Sequence, residues 1–544
     1  MPYRPSFRWF APVALLVNLM GCGVVYAQDK LNLPERWVYC DKNLSVDKSV
    51  DELDQIFQRA AKAGYTGVQL NDSKFGKLDK QDAHYFENIE RVKKIAAATG
   101  LEIIPGVFPI GVSESILSHD PNLAEGLPVR DALFVVQNGV ATPVADPPVS
   151  LPEVTKLEQW DFHDPSVTVD GDALKLVPGG KQARVHKVIA VHPFRLYHLS
   201  VKVKTQDFQG QPRFAVVVKD DKELNYHDFD CQPTQDWTTC DEVFNSLDNS
   251  TVDLYLGAWK SKGGTVWLKD ARIEEAGPVN LIRREGAPLV VKQEDGRVLE
   301  EGKDFEKLVD PQSGVVPWPG CFDVYHEPPV LKTRLADGTR LRVSYYHVVT
   351  IYHKGAPICL SEPRTLELLR DEAKRMHAAW GAKAYFMNHD EIRIMNWCEA
   401  CQERHLAAGQ IMADNVRACT RILKEVNPGG RIYVWSDMFD PGHNAHNNYY
   451  LVNGDLAGSW EGLDKDVIIV CWDNDRAYES MKFFADRGNK VLMAGYYDAP
   501  VDGARQWLDA ARKVPGVCGM MYTTWEDKYD DLEAFERIVD EYRQ

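Results

Sequence analysis

The sequence predicts an α/β protein, a (β/α)8 TIM barrel carrying an inserted all-β sandwich of jelly-roll type, and three observations lead to it. Helical apolar faces alternate with short buried strands over residues 28–150 and again over 341–544, the rhythm of a parallel sheet. Between them, over 155–277, the helical period vanishes and short alternating strands follow one another across Gly, Asp, Asn and Pro clusters, as in an antiparallel sandwich. Finally, 544 residues exceed what one hydrophobic core serves, so more than one domain is expected. With 44% hydrophobic and 26% charged residues the chain has the composition of a globular protein.

In the first α/β stretch, Ser49-x-x-Glu52 has the spacing of a capping box, and Leu53, Ile56, Phe57 and Ala60 share one helix face. Gly64 supplies a left-handed stop, and a strand over 66–70 follows at once. The pattern repeats with Tyr85, Ile89, Val92 and Ala96, then Gly100, then a strand over 101–107. Residues 278–340 form a β-rich connection. In the later stretch Leu366, Leu369, Ala373, Met376 and Trp380 align on one helix, and Met412, Val416, Cys419, Leu423 and Val426 on another. Strands are predicted at 384–387, 431–435, 467–472, 491–496 and 517–524. With 36–40, 66–70, 101–107 and 341–347 this makes nine candidates for eight barrel places. One lies outside, and the weakest are 101–107 and 341–347, which flank the insertion. A doubly wound open sheet is the alternative, but no Gly-rich phosphate loop follows any strand.

Arg4 and Arg8 precede an apolar run that ends in Val25-Tyr26-Ala27, so residues 1–27 are expected to be a secretory signal peptide and the protein secreted or periplasmic. Cys22 leaves a lipoprotein tether open, although Met20 fits that pattern poorly. No later run holds the ~20 apolar residues of a membrane span. The net charge of −17 argues against nucleic acid or an anionic membrane as partner and favours a neutral one such as an oligo- or polysaccharide; it says nothing of oligomeric state. Cys231 and Cys240 bracket a short polar loop and are expected to pair. Cys398-x-x-Cys401 has zinc-ligand spacing but lacks a second pair, so neither metal nor cofactor is expected.

In a barrel of this kind the chemistry lies where strands end. Those positions carry Asn388-His389-Asp390-Glu391, Trp435-Ser436-Asp437, Trp472-Asp473-Asn474, Tyr496-Tyr497-Asp498 and Trp525-Glu526-Asp527. Repeated pairing of a large aromatic with a carboxylate or amide suits a sugar, whose ring faces stack while its hydroxyls need hydrogen-bond partners. Asp390 and Glu391 are the candidate catalytic pair. Neighbours on a straight strand point to opposite faces, so both serve one site only where the strand bends. A carboxyl desolvated there beside a second one would hold a proton for a leaving oxygen. The candidates for substrate contact are His389, Trp435, Asp437, Trp472, Tyr496, Asp498, Trp525, Glu526 and Asp527. The polar loop 437–450 could line further subsites; its histidines and aspartates also permit a metal, although such loops more often cap and turn.

The order of these residues resembles the family 20 glycoside hydrolases, the β-N-acetylhexosaminidases, whose Asp-Glu pair, Trp-x-acid, Trp, Tyr-x-Asp and final Trp-x-Glu are matched in order by Asp390-Glu391, Trp435-x-Asp437, Trp472, Tyr496-x-Asp498 and Trp525-x-Asp527. The resemblance covers roughly 384–525. It implies Glu391 as general acid/base, Asp390 orienting a 2-acetamido group that attacks the anomeric carbon, Tyr496 holding the acetamide oxygen, and Trp435, Trp472 and Trp525 as walls. The chain departs from that pattern in having Met387-Asn388-His389 where the family carries His-x-Gly-Gly, in its first strand, and in lacking the small α/β domain before the barrel. The insertion resembles the jelly-roll carbohydrate-binding modules of glycanases, with Trp237, Tyr255 and Trp259 as candidate sugar contacts and a spacer without affinity as the alternative. It holds no catalytic pair, so its excision is expected to spare activity on a small substrate. Two other readings stand beside this one. The first is a glycosidase acting on a non-acetamido sugar with another carboxylate as nucleophile or base; the second is a non-catalytic glycan-binding protein.

Overall fold

The computed structural model describes residues 30–352 and 355–543; the expected signal peptide and Cys22 lie outside them. Eight parallel strands close into a barrel in sequence order: β1 Glu35–Asp41, β2 Gly67–Asn71, β3 Glu102–Val107, β4 Ala384–Met387, β5 Arg431–Trp435, β6 Ile468–Cys471, β7 Val491–Tyr496 and β8 Val517–Thr523. Closure comes from β8 pairing with β1. Of the nine candidates, the one over Arg340–His347 is the one outside. Its residues alternate buried and half-buried, whereas β4, β6 and β7 are buried throughout, as strands covered on both faces must be.

Seven of the eight strands are followed by a helix, six of them within connections and the last after β8: α1 Asp47–Ala63, α2 Ala83–Thr99, α3 Pro363–Trp380, α4 Ala408–Val426, α5 Ala477–Asp486, α6 Ala504–Ala511 and α7 Leu532–Arg543. After β5 the described chain runs instead through two 3-10 turns, Asp437–Phe439 and Ser459–Gly462. In α1 the buried face is Val50, Leu53, Ile56, Phe57 and Ala60, and the helix ends on Gly64 at φ +110, whose N–H reaches the Ala60 and Ala61 carbonyls. The helix begins at Asp47, ahead of Ser49, so Ser49 and Glu52 do not form the expected cap; Glu52 pairs with Lys42 instead.

The chain leaves the barrel between β3 and α3. Leu127–Gln137 and Val140–Pro143, within the stretch 28–150, join Arg340–His347 in a six-stranded sheet outside it. Beyond lies an eight-stranded antiparallel sheet built on two long strands, Leu196–Val218 and Thr251–Glu275. Their pairing breaks between Gln206 and Gln211, which divides each into two halves. One half pairs with Gln235–Asn245 and the other with Ala183–Ala190. Both halves bury alternate residues in one cluster, Val201 and Val203 with Phe214, Val216, Leu254 and Leu256. Ile394, Trp397 and Leu451, from the loops after β4 and β5, belong to that same cluster. Cys231 and Cys240, expected to pair, stand as free thiols.

The barrel interior is packed. Trp37, Ile104, Phe386, Tyr433, Val470 and Leu492 fill it, with Trp37 edge-on to Tyr433 at 4.5 Å. At the strands' N-terminal end, Arg431 donates to Glu102 at 2.5 Å and the Tyr433 hydroxyl to Glu35 at 2.6 Å, a charged floor beneath the apolar layers.

Candidate active site at the mouth of the barrel

A cavity of about 230 Å³ opens at the C-terminal ends of the strands. Asp390, Glu391, Trp435 and Trp525 line it, together with Tyr39, Asp41, Asn71, Asp72 and Asn388 from the first, second and fourth strand ends. The side-chain period of two explains much of this. Along β4, Ala384 and Phe386 point into the barrel and Tyr385 and Met387 out to the helices. Continuing the count, Asn388 and Asp390 face the cavity and His389 faces away. Glu391 breaks the count at φ +48, and this left-handed residue turns a second carboxylate into the same space.

Strand-end residues elsewhere share this backbone: Phe108 after β3, Tyr496, Tyr497 and Asp498 after β7, and Asp527 after β8 all have φ between +50 and +83. Bulky residues held in the left-handed region cost free energy, and such strain gathers at sites where side-chain placement matters. Gly106 on β3 is required for a related reason. A Cβ there would lie 1.8 Å from Asn71 Oδ1, which accepts from Gln69 Nε2 at 3.0 Å and Asn388 Nδ2 at 3.2 Å.

The two carboxylates stand in different surroundings. Glu391 Oε2 is 2.5 Å from the Arg393 guanidinium, and its own N–H donates to Asp437 Oδ2 at 2.9 Å. Asp390 is half-buried, and its carboxyl is pushed well above the usual range by burial, by Asp437 and by Glu391. Asp437 is fully buried and also accepts from Asn444 Nδ2 at 2.9 Å and Trp472 Nε1 at 3.1 Å. Burial raises its pKa too. Asp437 thus stands behind Glu391 and fixes its backbone. Asp41, on the cavity wall, is lifted to about 6 by burial and by Asp72 and Asp527.

The walls are aromatic. Ring centroids of Trp435 lie 6.3 Å from Trp472 and 6.1 Å from Trp525, and Tyr39 lies 5.2 Å from Trp525. Tyr497 stacks on Trp525 at 6.2 Å.

Three expected contacts are corrected by the structure: Asp437, fully buried behind Glu391, is closed to a substrate, and Tyr496 and His389 point away from the cavity. Tyr496 does not face the cavity: it is buried between barrel and helices, stacked on Tyr522 at 4.2 Å, with its hydroxyl donating to Asp531 at 3.0 Å. By strict alternation after Leu492 and Ala494 it should point inward, but its φ of +83 flips it outward and sends Tyr497 in. His389 is fully buried between Phe108 and Phe439, out of reach of a substrate, and burial lowers its pKa to about 3. The remaining acids act at the rim. Asp498 accepts from the Trp525 and Glu526 N–H groups at 2.9 and 3.1 Å, Glu526 pairs with Lys528, and Asp527 with Lys42. Tyr39, Asp41 and Asn71 are site residues that sequence reasoning missed, although they end β1 and β2 with the same aromatic, acid and amide signature as the later strands. In the loop 437–450, Asp440 Oδ1 accepts from Gly442 N–H, and its histidines and aspartates gather into no ligand set among the described residues.

On the insertion, Lys269 sits over Trp237 at 4.5 Å, Arg213 over Trp259 at 5.5 Å, and His186 stacks on Tyr255 at 4.5 Å. Arg184 also sits over Tyr255 at 5.5 Å and over Trp259 at 5.9 Å, so all three rings already carry a cationic or aromatic neighbour.

No protein-family model matches the sequence, and no curated relative does. Among solved structures, the family 20 β-N-acetylhexosaminidase of Streptomyces coelicolor A3(2) aligns over 94% of this chain and 64% of its own at 10% identity and a TM-score of 0.37. The rhamnosidase of Novosphingobium sp. PP1Y aligns over 94% of this chain and 59% of its own at 12% identity and a TM-score of 0.36. The chain thus spans about three fifths of these two enzymes. A carbohydrate-binding module of the Cellvibrio mixtus lichenase 5A aligns over 24% of the chain and 97% of its own at 14% identity and a TM-score of 0.18. At these scores the functional reading rests on the residues of the site.

Proposed function

We propose that this chain is a glycoside hydrolase whose reaction takes place over Asp390 and Glu391 at the mouth of the barrel. The observation that carries this reading is one cavity holding two adjacent carboxyl groups in opposed surroundings beneath a wall of aromatic rings. Glycosidic cleavage needs one carboxyl that keeps a proton for the departing oxygen and one that is ionised, as a nucleophile, a base or a stabiliser of positive charge at the anomeric carbon. Asp390, lifted by burial and like charge, is suited to the first role. Glu391, ion-paired with Arg393, is suited to the second. Asp437 positions Glu391, and Tyr39, Trp435 and Trp525 give the cavity aromatic surface for a sugar ring, with Trp472 and Tyr497 packed beside them. The amino-terminal pattern supports an exported enzyme.

A second reading exchanges the roles. Hydrolysis assisted by a 2-acetamido group would have Glu391 as the acid and Asp390 orienting the acetamide. It is supported by the order of strand-end residues, but Tyr496 is not placed to hold the acetamide oxygen.

Kinetics on aryl glycosides with and without a 2-acetamido group separate the two. Under the first reading Asp390→Asn removes the proton donor, a loss of roughly 10²–10⁴-fold with a poor leaving group and little with an activated one; Glu391→Gln slows both. Under the second the two variants exchange patterns, activity is confined to 2-acetamido sugars, and a thiazoline mimic of the cyclised intermediate inhibits. Failure to hydrolyse any glycoside in a broad panel would overturn both.

A further inference from the structure

Away from the mouth, three cysteines and a carboxylate distant in sequence meet in the interior. Cys398 is the N-cap of the short helix Glu399–Gln402 in the loop after β4 and Cys401 lies within it, Cys359 precedes α3, and Glu125 follows the turn Pro121–Leu123. All four are buried, none is in a disulfide, and their ligating atoms lie within 4.8 Å of one another. Cys359 Sγ is 3.4 Å from Cys398 Sγ and 3.6 Å from Cys401 Sγ. Glu125 Oε2 is 3.7 Å from Cys398 Sγ and 3.6 Å from Cys401 Sγ.

We infer that Glu125, Cys359, Cys398 and Cys401 form a structural zinc site. A tetrahedral ion with Zn–S bonds of about 2.3 Å sets its sulfurs about 3.8 Å apart and sulfur and oxygen slightly closer, which these separations approach. The second carboxylate oxygen is already committed: Glu125 Oε1 accepts from the N–H of Trp397 at 2.8 Å and of Cys398 at 3.0 Å, the outer contacts that orient a ligating carboxylate. Zn²⁺ displaces the protons of the three thiols on binding, and three thiolates with one carboxylate leave the centre with two excess negative charges. The buried guanidinium of Arg284, paired with Glu362 at 2.6 Å and donating to the Ala124 carbonyl at 2.9 Å, also adjoins Cys359, Cys398 and Glu125. Four protein ligands and full burial leave no open position, so the ion holds structure and activates no water.

What it holds follows from where the ligands stand. Glu125 lies where the chain leaves the barrel and Cys359 where it returns, and the two passages are bonded by Glu125 N to Pro357 O at 2.9 Å and Cys359 N to Leu123 O at 2.8 Å. Cys398 and Cys401 belong to the loop that begins with Asp390 and Glu391. The ion therefore clamps the root of the insertion to the catalytic loop. In sequence the site shows only as a single Cys-x-x-Cys, because its other half lies 39 and 273 positions from Cys398.

Elemental analysis of the purified full-length chain tests this: one zinc per chain, retained through dialysis against a weak chelator, is expected. Replacement by cobalt should give intense thiolate-to-metal charge-transfer absorption. Cys398→Ser and Cys401→Ser should lose the ion and lower the unfolding midpoint, and Glu125→Gln should retain it roughly tenfold or more weakly. A folded chain that neither carries zinc nor takes up zinc or cobalt under reducing conditions overturns the site. So does a disulfide joining two of the three cysteines in the native, exported protein. The cobalt spectrum of the unaltered chain decides the matter even where the variants fail to fold, and none of these readouts depends on catalytic activity.

Discussion

Tyr226 belongs to the insertion, yet its ring lies 4.8 Å from Tyr450 and 5.7 Å from Tyr352, and the Arg393 guanidinium sits over those same two rings at 5.3 and 5.1 Å. Arg393 in turn holds Glu391. Replacing Tyr226 by Ala removes a buried ring, for which losses of about 3–5 kcal/mol are usual, and the two aromatic contacts account for about 1–3 kcal/mol of that. With its support gone, Arg393 shifts and takes Glu391 with it. A displacement of about 1 Å at a reacting group costs on the order of 10²-fold, so a partial shift should lower kcat/KM by roughly tenfold. Tyr226→Phe is the control. It keeps both ring contacts and loses only the hydroxyl bond to the Glu223 carbonyl at 2.8 Å, about 1 kcal/mol of stability with kcat/KM nearly unchanged. The assay is kcat/KM on the best aryl glycoside beside urea unfolding of each variant. A folded Tyr226→Ala protein with the parent's kcat/KM would refute the reasoning. The same argument runs against the expectation that the insertion can be excised without loss: removing 155–277 exposes Ile394, Trp397 and Leu451 and should cost activity even on a small substrate.

Tyr497→Ala should raise KM by removing a ring stacked on Trp525, whereas Tyr496→Phe should leave KM unchanged and cost about 1 kcal/mol through its lost bond to Asp531; equal KM effects in the two would contradict the assigned orientations. His389 offers a test by pH. Its folded pKa of about 3 lies below the unfolded value near 6.5, so the unfolded chain binds the extra proton between them and stability is lost as pH falls through that window, about 1.4 kcal/mol per unit. His389→Leu should flatten that part of the acid-unfolding curve, and an unchanged slope would show that the imidazole is not sequestered.

Much of the barrel was readable because its strands are short buried runs spaced by helical faces, three of which end in a left-handed glycine, Gly64, Gly100 and Gly381. Arg340–His347 passed as a ninth candidate because its apolar residues are as dense, yet Arg342 and Ser344 mark the half-buried alternation of a strand covered on one side. That Asp390, Glu391, Trp435 and Trp525 would line one cavity was legible from the rule that the strand ends of a barrel gather at one mouth. His389 was misread although the period of two, carried past Met387, points it outward. Tyr496 shows the opposite limit: the count points it inward, and only the left-handed backbone at three successive residues, which no side-chain pattern announces, exchanges it with Tyr497. The cluster of Tyr226, Tyr352 and Tyr450 around Arg393 joins segments distant in sequence and is set by tertiary packing.

The charged floor of the barrel makes the cavity a vessel with a single mouth. Arg431 with Glu102 and Glu35, and above them Trp37 on Tyr433, seal the end opposite the carboxylates. Whatever enters the cavity can therefore leave only across the strand-end face and not along the barrel axis.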